Sequence, residues 1–163
     1  MKLKRTYVLA ATLAVAMAGT LAAVALGSPP SSGFVGETPL VTANLDNTVH
    51  VNSDGVKFQT KDPTDVRVQK FVIGPGAFSG WHHHPGIVIV AVQSGAVTFT
   101  HSDCSSKTYS LDPNNPNGAV FVESGDDPGQ ASSAAGATVI ATFVAPDANP
   151  TVFRIEDDPP PCA

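Results

Sequence analysis

After Arg5 the chain has no cluster of lysine or arginine. Lys2, Lys4 and Arg5 take three of the nine basic residues, so the remainder sets six bases against all fourteen acids, a net charge of −8. That balance opposes binding to nucleic acid or to an anionic lipid surface. There is no glycine-rich phosphate loop, no Walker pattern and no nucleophile elbow, which leaves P-loop and hydrolase chemistry without its parts. Internal repeats are missing, so a solenoid or propeller is excluded. Amphipathic 3.6-residue periodicity is missing from the body of the chain, which argues against a helical bundle. No Ser/His/Asp constellation is supported by spacing, and no histidine occurs after His101.

What is present begins with a leader. Lys2, Lys4 and Arg5 precede an apolar run from Val8 to Leu26, and the small residues Ala23, Ala25 and Gly27 lead into the polar stretch SPPSSG. This is the pattern of a secretory signal peptide, with cleavage near Ala25 or Gly27. The run also approaches the ~18 residues that suggest a membrane span, so an uncleaved N-terminal anchor is the alternative. Either reading puts the body of the protein outside the cytoplasm, secreted or held at the membrane by residues 8–26. The expected organisation is a hydrophobic leader helix over 1–27, a Pro/Gly/Ser-rich linker over 28–39, a folded domain over 40–155 and a proline-rich tail over 156–163. The two cysteines, Cys104 and Cys162, are an even count in an exported chain and predict a disulfide tying tail to body. A bridge closing so long a loop stabilises by roughly 4 kcal/mol in the chain-entropy picture. A buried thiol plus a tail thiol is the other reading.

Between linker and tail the sequence offers short β-branched runs: Thr48–Asn52, Val56–Thr60, Val66–Ile73, Ile87–Gln93, Ala96–His101, Lys107–Leu111, Ala119–Glu123, Ala137–Val144 and Thr151–Ile155. Turn signals such as NSDG, GPG, HPG, QSG and DPNNPNG separate them. Many short strands at even spacing predict an all-β sandwich or barrel. Phe71, Phe99, Phe121 and Phe143 read as core. Ile87–Val92 is apolar at every position, which predicts cover on both faces, the outer one by another strand, the N-terminal segment or a second subunit.

The chemistry sits in GWHHHPGIVIVAVQSG, Gly80 to Gly95. Alternation along extended backbone points His82 and His84 one way and His83 the other. Two neutral imidazoles on one face suit Zn, Fe, Mn or Ni, but a metal site needs further donors.

The same residues resemble the first motif of the cupin superfamily: Gly, five residues, His-x-His, three or four residues, Glu, six residues, Gly. Gly76 fits the opening glycine, Ala77 to Trp81 the spacers, His82 and His84 the pair, Pro85-Gly86 the turn and Gly95 the closing glycine. The resemblance spans about Val66 to Val144 and is to small exported bacterial proteins of the cupin type-2 kind. It implies a double-sheet jelly roll and a metal held by His, His, Glu and a third His. Here the Glu position is Val88. The second motif opens at Gly118 with GAVFVE, but SGDDPGQASSAAG supplies no histidine, and by spacing Gln130 or Ser132 stands in its place. The second motif is therefore degenerate.

The substitute ligands are Gln130 first, then Asp126, Asp127, His101, His50 and His83. Glu123 reads as a solvated strand end, with a pocket-facing base or ligand as the alternative. The expected pocket is lined by Trp81, Val88, Val90 and Val92. The leading functional reading is a non-catalytic small-molecule-binding or structural cupin whose degenerate site takes up a divalent metal weakly. Its alternatives are a metal-dependent enzyme, dioxygenase- or isomerase-like, working through His82 and His84, and a cell-envelope interaction or dimerisation module. A small molecule and a second copy of the chain are the expected partners, with a membrane involved only through an uncleaved leader.

Overall fold

The computed structural model describes residues 31–161. The leader helix and Cys162, and with it the Cys104–Cys162 bridge, lie outside that range. Among the described residues every regular element is a strand: β1 (Ser32–Leu45), β2 (His50–Ser53), β3 (Val56–Gln59), β4 (Thr64–Phe78), β5 (His82–His83), β6 (Ile87–His101), β7 (Ser106–Ser110), β8 (Val120–Ser124), β9 (Gly129–Ser133), β10 (Ala137–Pro146) and β11 (Ile155–Glu156). The fold is all-β, as the turn spacing predicts.

Two long strands make the barrel. The first part of β4 pairs with β10 and its last two residues pair with β9. The first part of β6 also pairs with β10, and its end pairs with β9. The four strands β4, β10, β6 and β9 thus close into a ring of hydrogen-bonded neighbours, which removes the exposed edge that an open sheet would carry. Each long strand must turn a corner to serve both walls. In β6 the corner is Gly95, at φ +73, where an added Cβ would lie 2.2 Å from the carbonyl oxygen of Gly136. Two runs expected as separate strands, Ile87–Gln93 and Ala96–His101, are therefore one bent strand.

Alternation fills the interior. Val88, Val90 and Val92 of β6, Val139, Ala141 and Phe143 of β10, and Phe99 and Phe121 are all buried. Phe71 is half-buried and packs edge-on against Phe143. The outer face of β6 departs from expectation: Ile89 is 39% exposed and its cross-strand neighbour Val122 55% exposed. Cover on both sides of this strand is thus not seen among the described residues.

Two further corrections concern boundaries. Residues 32–39, expected as linker, form the first half of β1, which pairs along β4 with three register shifts. Pro39 sits beside one of those shifts, on a strand whose only partner among the described residues is β4, the setting in which a sheet tolerates proline. The second correction is β9, from the stretch expected as loop. Its sequence is Gly-Gln-Ala-Ser-Ser, and it is held by main-chain pairing to β4, β5 and β6. At the other end, the expected strand Thr151–Ile155 is reduced to the short β11, paired with β5.

Candidate metal centre

β5 and the turn after it present the histidines. Partner residues in register on an antiparallel pair face the same side, and His82 lies opposite Gly129 of β9 and Glu156 of β11. His82 and His84 face inward and meet edge to face, their ring centroids 4.8 Å apart. His83 faces the other way, where its Nδ1 lies 2.7 Å from Asp157 Oδ2.

The third donor is Glu123, on β8. Its Oε2 lies 3.0 Å from His84 Nε2 and 3.7 Å from His82 Nε2. The side chains of Glu123, His82 and His84 are only 10%, 6% and 7% exposed. The solvated strand end expected for this glutamate is therefore wrong. The register explains why: Glu123 is the cross-strand partner of Val88, the residue that occupies the place of the motif's glutamate. An acid one strand over therefore faces the same interior. Its parity is readable, because Phe121, two residues earlier, reads as core.

Hydrogen bonding fixes both rings. His82 Nδ1 lies 3.0 Å from the carbonyl oxygen of Gly80, and His84 Nδ1 lies 2.5 Å from that of Phe153. A carbonyl oxygen only accepts, so each Nδ1 carries the proton and donates it. Both Nε2 lone pairs are then left facing the Glu123 carboxylate. All three donor atoms lie within 4.8 Å of one another. Three electron-rich atoms converging in a buried pocket repel one another unless a cation, a proton or a metal ion, sits among them. Anchoring of the distal imidazole nitrogen to a main-chain carbonyl is the usual support for a metal-ligating histidine. The donor set fits a divalent transition metal.

The support comes from residues 153–157, which straddle the expected last strand and the expected tail. Phe153 supplies the carbonyl that orients His84. Arg154 donates to the carbonyl of Ser79 at 2.6 Å and pairs with Glu156. Asp157 reaches His83 and also donates its N–H to the carbonyl of Trp81. Nothing in local composition announces these roles, which depend on β11 returning beside β5.

Burial pushes the pKa of His82 down to about 4 from 6.5, with Arg154 adding to the effect and Glu123 opposing it. His82 is thus the neutral, metal-ligating form throughout the neutral range. The sign for metal-free stability follows. Below pH 6.5 the unfolded chain binds a proton that the folded chain refuses until about pH 4. Stability is therefore intact above pH 6.5 and declines as pH falls, by about 3 kcal/mol over the interval. Urea midpoints at pH 7, 6 and 5 should fall more steeply for the wild type than for His82→Gln. Parallel slopes would show that His82 is not the buried neutral group described.

A cavity of about 230 Å3 adjoins the triad. Val88 and Val90 line it, as expected, together with Phe71, Phe121, Phe143 and Phe153. Trp81 and Val92 are buried but do not line it. Gln130 does not reach it either; its neighbour Ala131 does, and strand alternation turns Gln130 outward. His101 pairs with Asp127 on the surface at 3.2 Å, Asp126 is exposed, and His50 lies in the separate β2–β3 hairpin. None of these joins the triad.

No protein-family model and no curated protein matches the sequence. Among solved structures, salicylate 1,2-dioxygenase from Pseudaminobacter salicylatoxidans aligns at 13% identity and a TM-score of 0.40, over 47% of this chain and 20% of that one. A conserved protein of unknown function from Streptococcus pyogenes aligns at 18% identity and a TM-score of 0.44, over 66% of this chain and 77% of that one. A DMSP lyase structure aligns at 19% identity and a TM-score of 0.39, over 47% and 37%. These likenesses are partial, and the chain spans about a fifth of the dioxygenase's length.

Proposed function

We propose that this protein is an exported, cupin-type jelly roll that holds one divalent transition metal on His82, His84 and Glu123 and acts on a small molecule in the adjoining cavity. One observation carries the reading: two Nδ1–H groups tied to main-chain carbonyls leave both Nε2 lone pairs aimed at a buried carboxylate. Two imidazoles and one carboxylate leave a metal with open positions, the arrangement found in non-haem Fe(II) oxygenases, and such a metal supplies Lewis-acid or redox activation of whatever binds there. The metal-dependent enzyme, dioxygenase- or isomerase-like, therefore takes precedence over the non-catalytic module, which rests on a missing acid and a missing third histidine, because Glu123 supplies the acid. Iron, manganese, zinc and nickel all suit the donors. In this reading the chain's own residues do three things. Gly80 and Phe153 hold the imidazole tautomers, Glu123 supplies the negative charge, and the valine and phenylalanine walls exclude water.

Export, the Cys104–Cys162 bridge and pairing with a second copy belong to the same proposal. The leader pattern supports the first, the even cysteine count the second, and the exposed Ile89, Val120 and Val122 on the outer face the third. One preparation addresses all of it: the chain recovered from the extracytoplasmic fraction without a histidine tag or nickel resin. About one equivalent of iron, manganese or zinc is expected, lost in both His82→Ala and His84→Ala. Intact mass without reductant should show the two cysteines joined, and sedimentation should show a dimer. Metal far below one equivalent in the wild type, or unchanged in both variants, overturns the metal reading. Two free thiols or a strict monomer would remove the bridge or the dimer.

A further inference from the structure

The cavity holds four charged side chains, and three of them are already engaged. Glu123 faces the two histidines. Arg154 is committed to Glu156 and to the Ser79 carbonyl. Glu37, on the exposed part of β1, accepts from Gln69 Nε2 at 3.3 Å. The fourth is Arg67. It lies on β4 directly across from Phe143 of β10, so it shares the inward face. Its guanidinium carbon stands 3.9 Å from the centroid of the Phe153 ring. Its Nε is buried without a hydrogen-bond partner, and among the described residues it makes no ion pair.

A buried, unsatisfied N–H on a charged group is costly and marks a place where a partner belongs. The stack on Phe153 fixes the plane of the guanidinium without using its donors. A planar fork with free donors at the edge of an apolar cavity matches a carboxylate, which accepts two parallel N–H bonds. Size narrows the class. A cavity of roughly 150 Å3 accommodates benzene, so about 230 Å3 takes a compact apolar body of one ring or a short chain plus its carboxylate. The phenylalanine walls favour such a body.

We propose that Arg67 anchors the carboxylate of a small monocarboxylic acid whose apolar part fills the cavity between Phe71, Phe121 and Phe143. The proposal deepens the function given above by naming the ligand class, and it rests on that reading only in taking the cavity as a small-molecule site. The ligand is held at one end by Arg67 and presents its other end toward His82, His84 and Glu123.

Calorimetry on the full chain, both metal-free and loaded with Zn2+, tests it with benzoate as probe and benzyl alcohol as the neutral match. Benzoate should bind the wild type, and Arg67→Met should weaken it about 10- to 100-fold, the worth of hydrogen bonds to a charged group. Benzyl alcohol should bind weakly and equally to both, and the metal content of Arg67→Met should equal that of the wild type. Arg67→Lys keeps the charge but not the fork, and should show an intermediate loss; it also serves if Arg67→Met fails to fold. Equal benzoate affinity in wild type and variants, no benzoate binding at all, or benzyl alcohol binding as tightly as benzoate overturns the proposal. Arg67-dependent benzoate binding in a chain that takes no metal would sustain this inference while removing the metal reading, so the two failures are distinct.

Discussion

Glu123→Ala is expected to purify folded and essentially metal-free. Even an outer partner of a ligating histidine is worth about 10- to 100-fold in metal affinity, so deleting the direct carboxylate should cost on the order of 100-fold or more. Folding should survive, because the substitution removes the charge toward which both Nε2 lone pairs point and relieves that crowding in the apo state. The register supplies a sharper version. Val88 and Glu123 are cross-strand partners facing the same interior, with Cβ atoms about 5 Å apart by ordinary sheet geometry. The double variant Val88→Glu/Glu123→Val therefore moves the acid back to the motif position and should recover part of the lost affinity. Metal titration of the three proteins checks the series. Full metal binding by Glu123→Ala would remove the carboxylate from the site. No recovery in the swap would show that only the β8 position aims an oxygen at the histidines.

The placement of this acid also shows how far the sequence was legible. The histidine pair, its parity and the Pro85-Gly86 turn could be read locally, because strand alternation needs only neighbouring residues. All-β architecture could be read from turn signals. Glu123 was harder, since its role depends on β8 pairing with β6 in one particular register, which is a long-range fact. Even so, the alternation Phe121 inward, Val122 outward, Glu123 inward follows from a core position for Phe121. Gln130 was favoured by motif spacing, and a one-residue change of parity sends it outside while Ala131 faces the cavity. β9 could not be read at all. Its residues have little β propensity, and it is a strand because three neighbouring strands offer it main-chain partners. The roles of Phe153 and Asp157 likewise come from main-chain geometry and a distant contact, for which composition gives no sign.

Gly86→Ala should be strongly damaging although it adds a single methyl group outside the triad. A Cβ at this position would stand 1.9 Å from the carbonyl oxygen of Val144, 2.9 Å from its carbonyl carbon and 3.0 Å from Ala145 Cα. All three are backbone atoms of β10, so no side chain can swing aside, and the turn or the strand has to move. Overpacking of this kind costs about 1–3 kcal/mol when neighbours adjust, and a main-chain clash belongs at about the upper end. The displacement would also reach the metal centre from two sides. His84 lies two residues before Gly86, and the Gly86 carbonyl accepts the N–H of Gly125 at 2.9 Å, two residues beyond Glu123. Loss of about 3 kcal/mol in denaturant unfolding should therefore accompany loss of metal. Gly36→Ala is the matched control: its Cβ would make only ordinary contact with the Val72 side chain, 3.6 Å away, and should change stability by no more than about 0.5 kcal/mol. If the two variants unfold at the same denaturant concentration, the close seam between this turn and β10 is not what holds the histidines against Glu123.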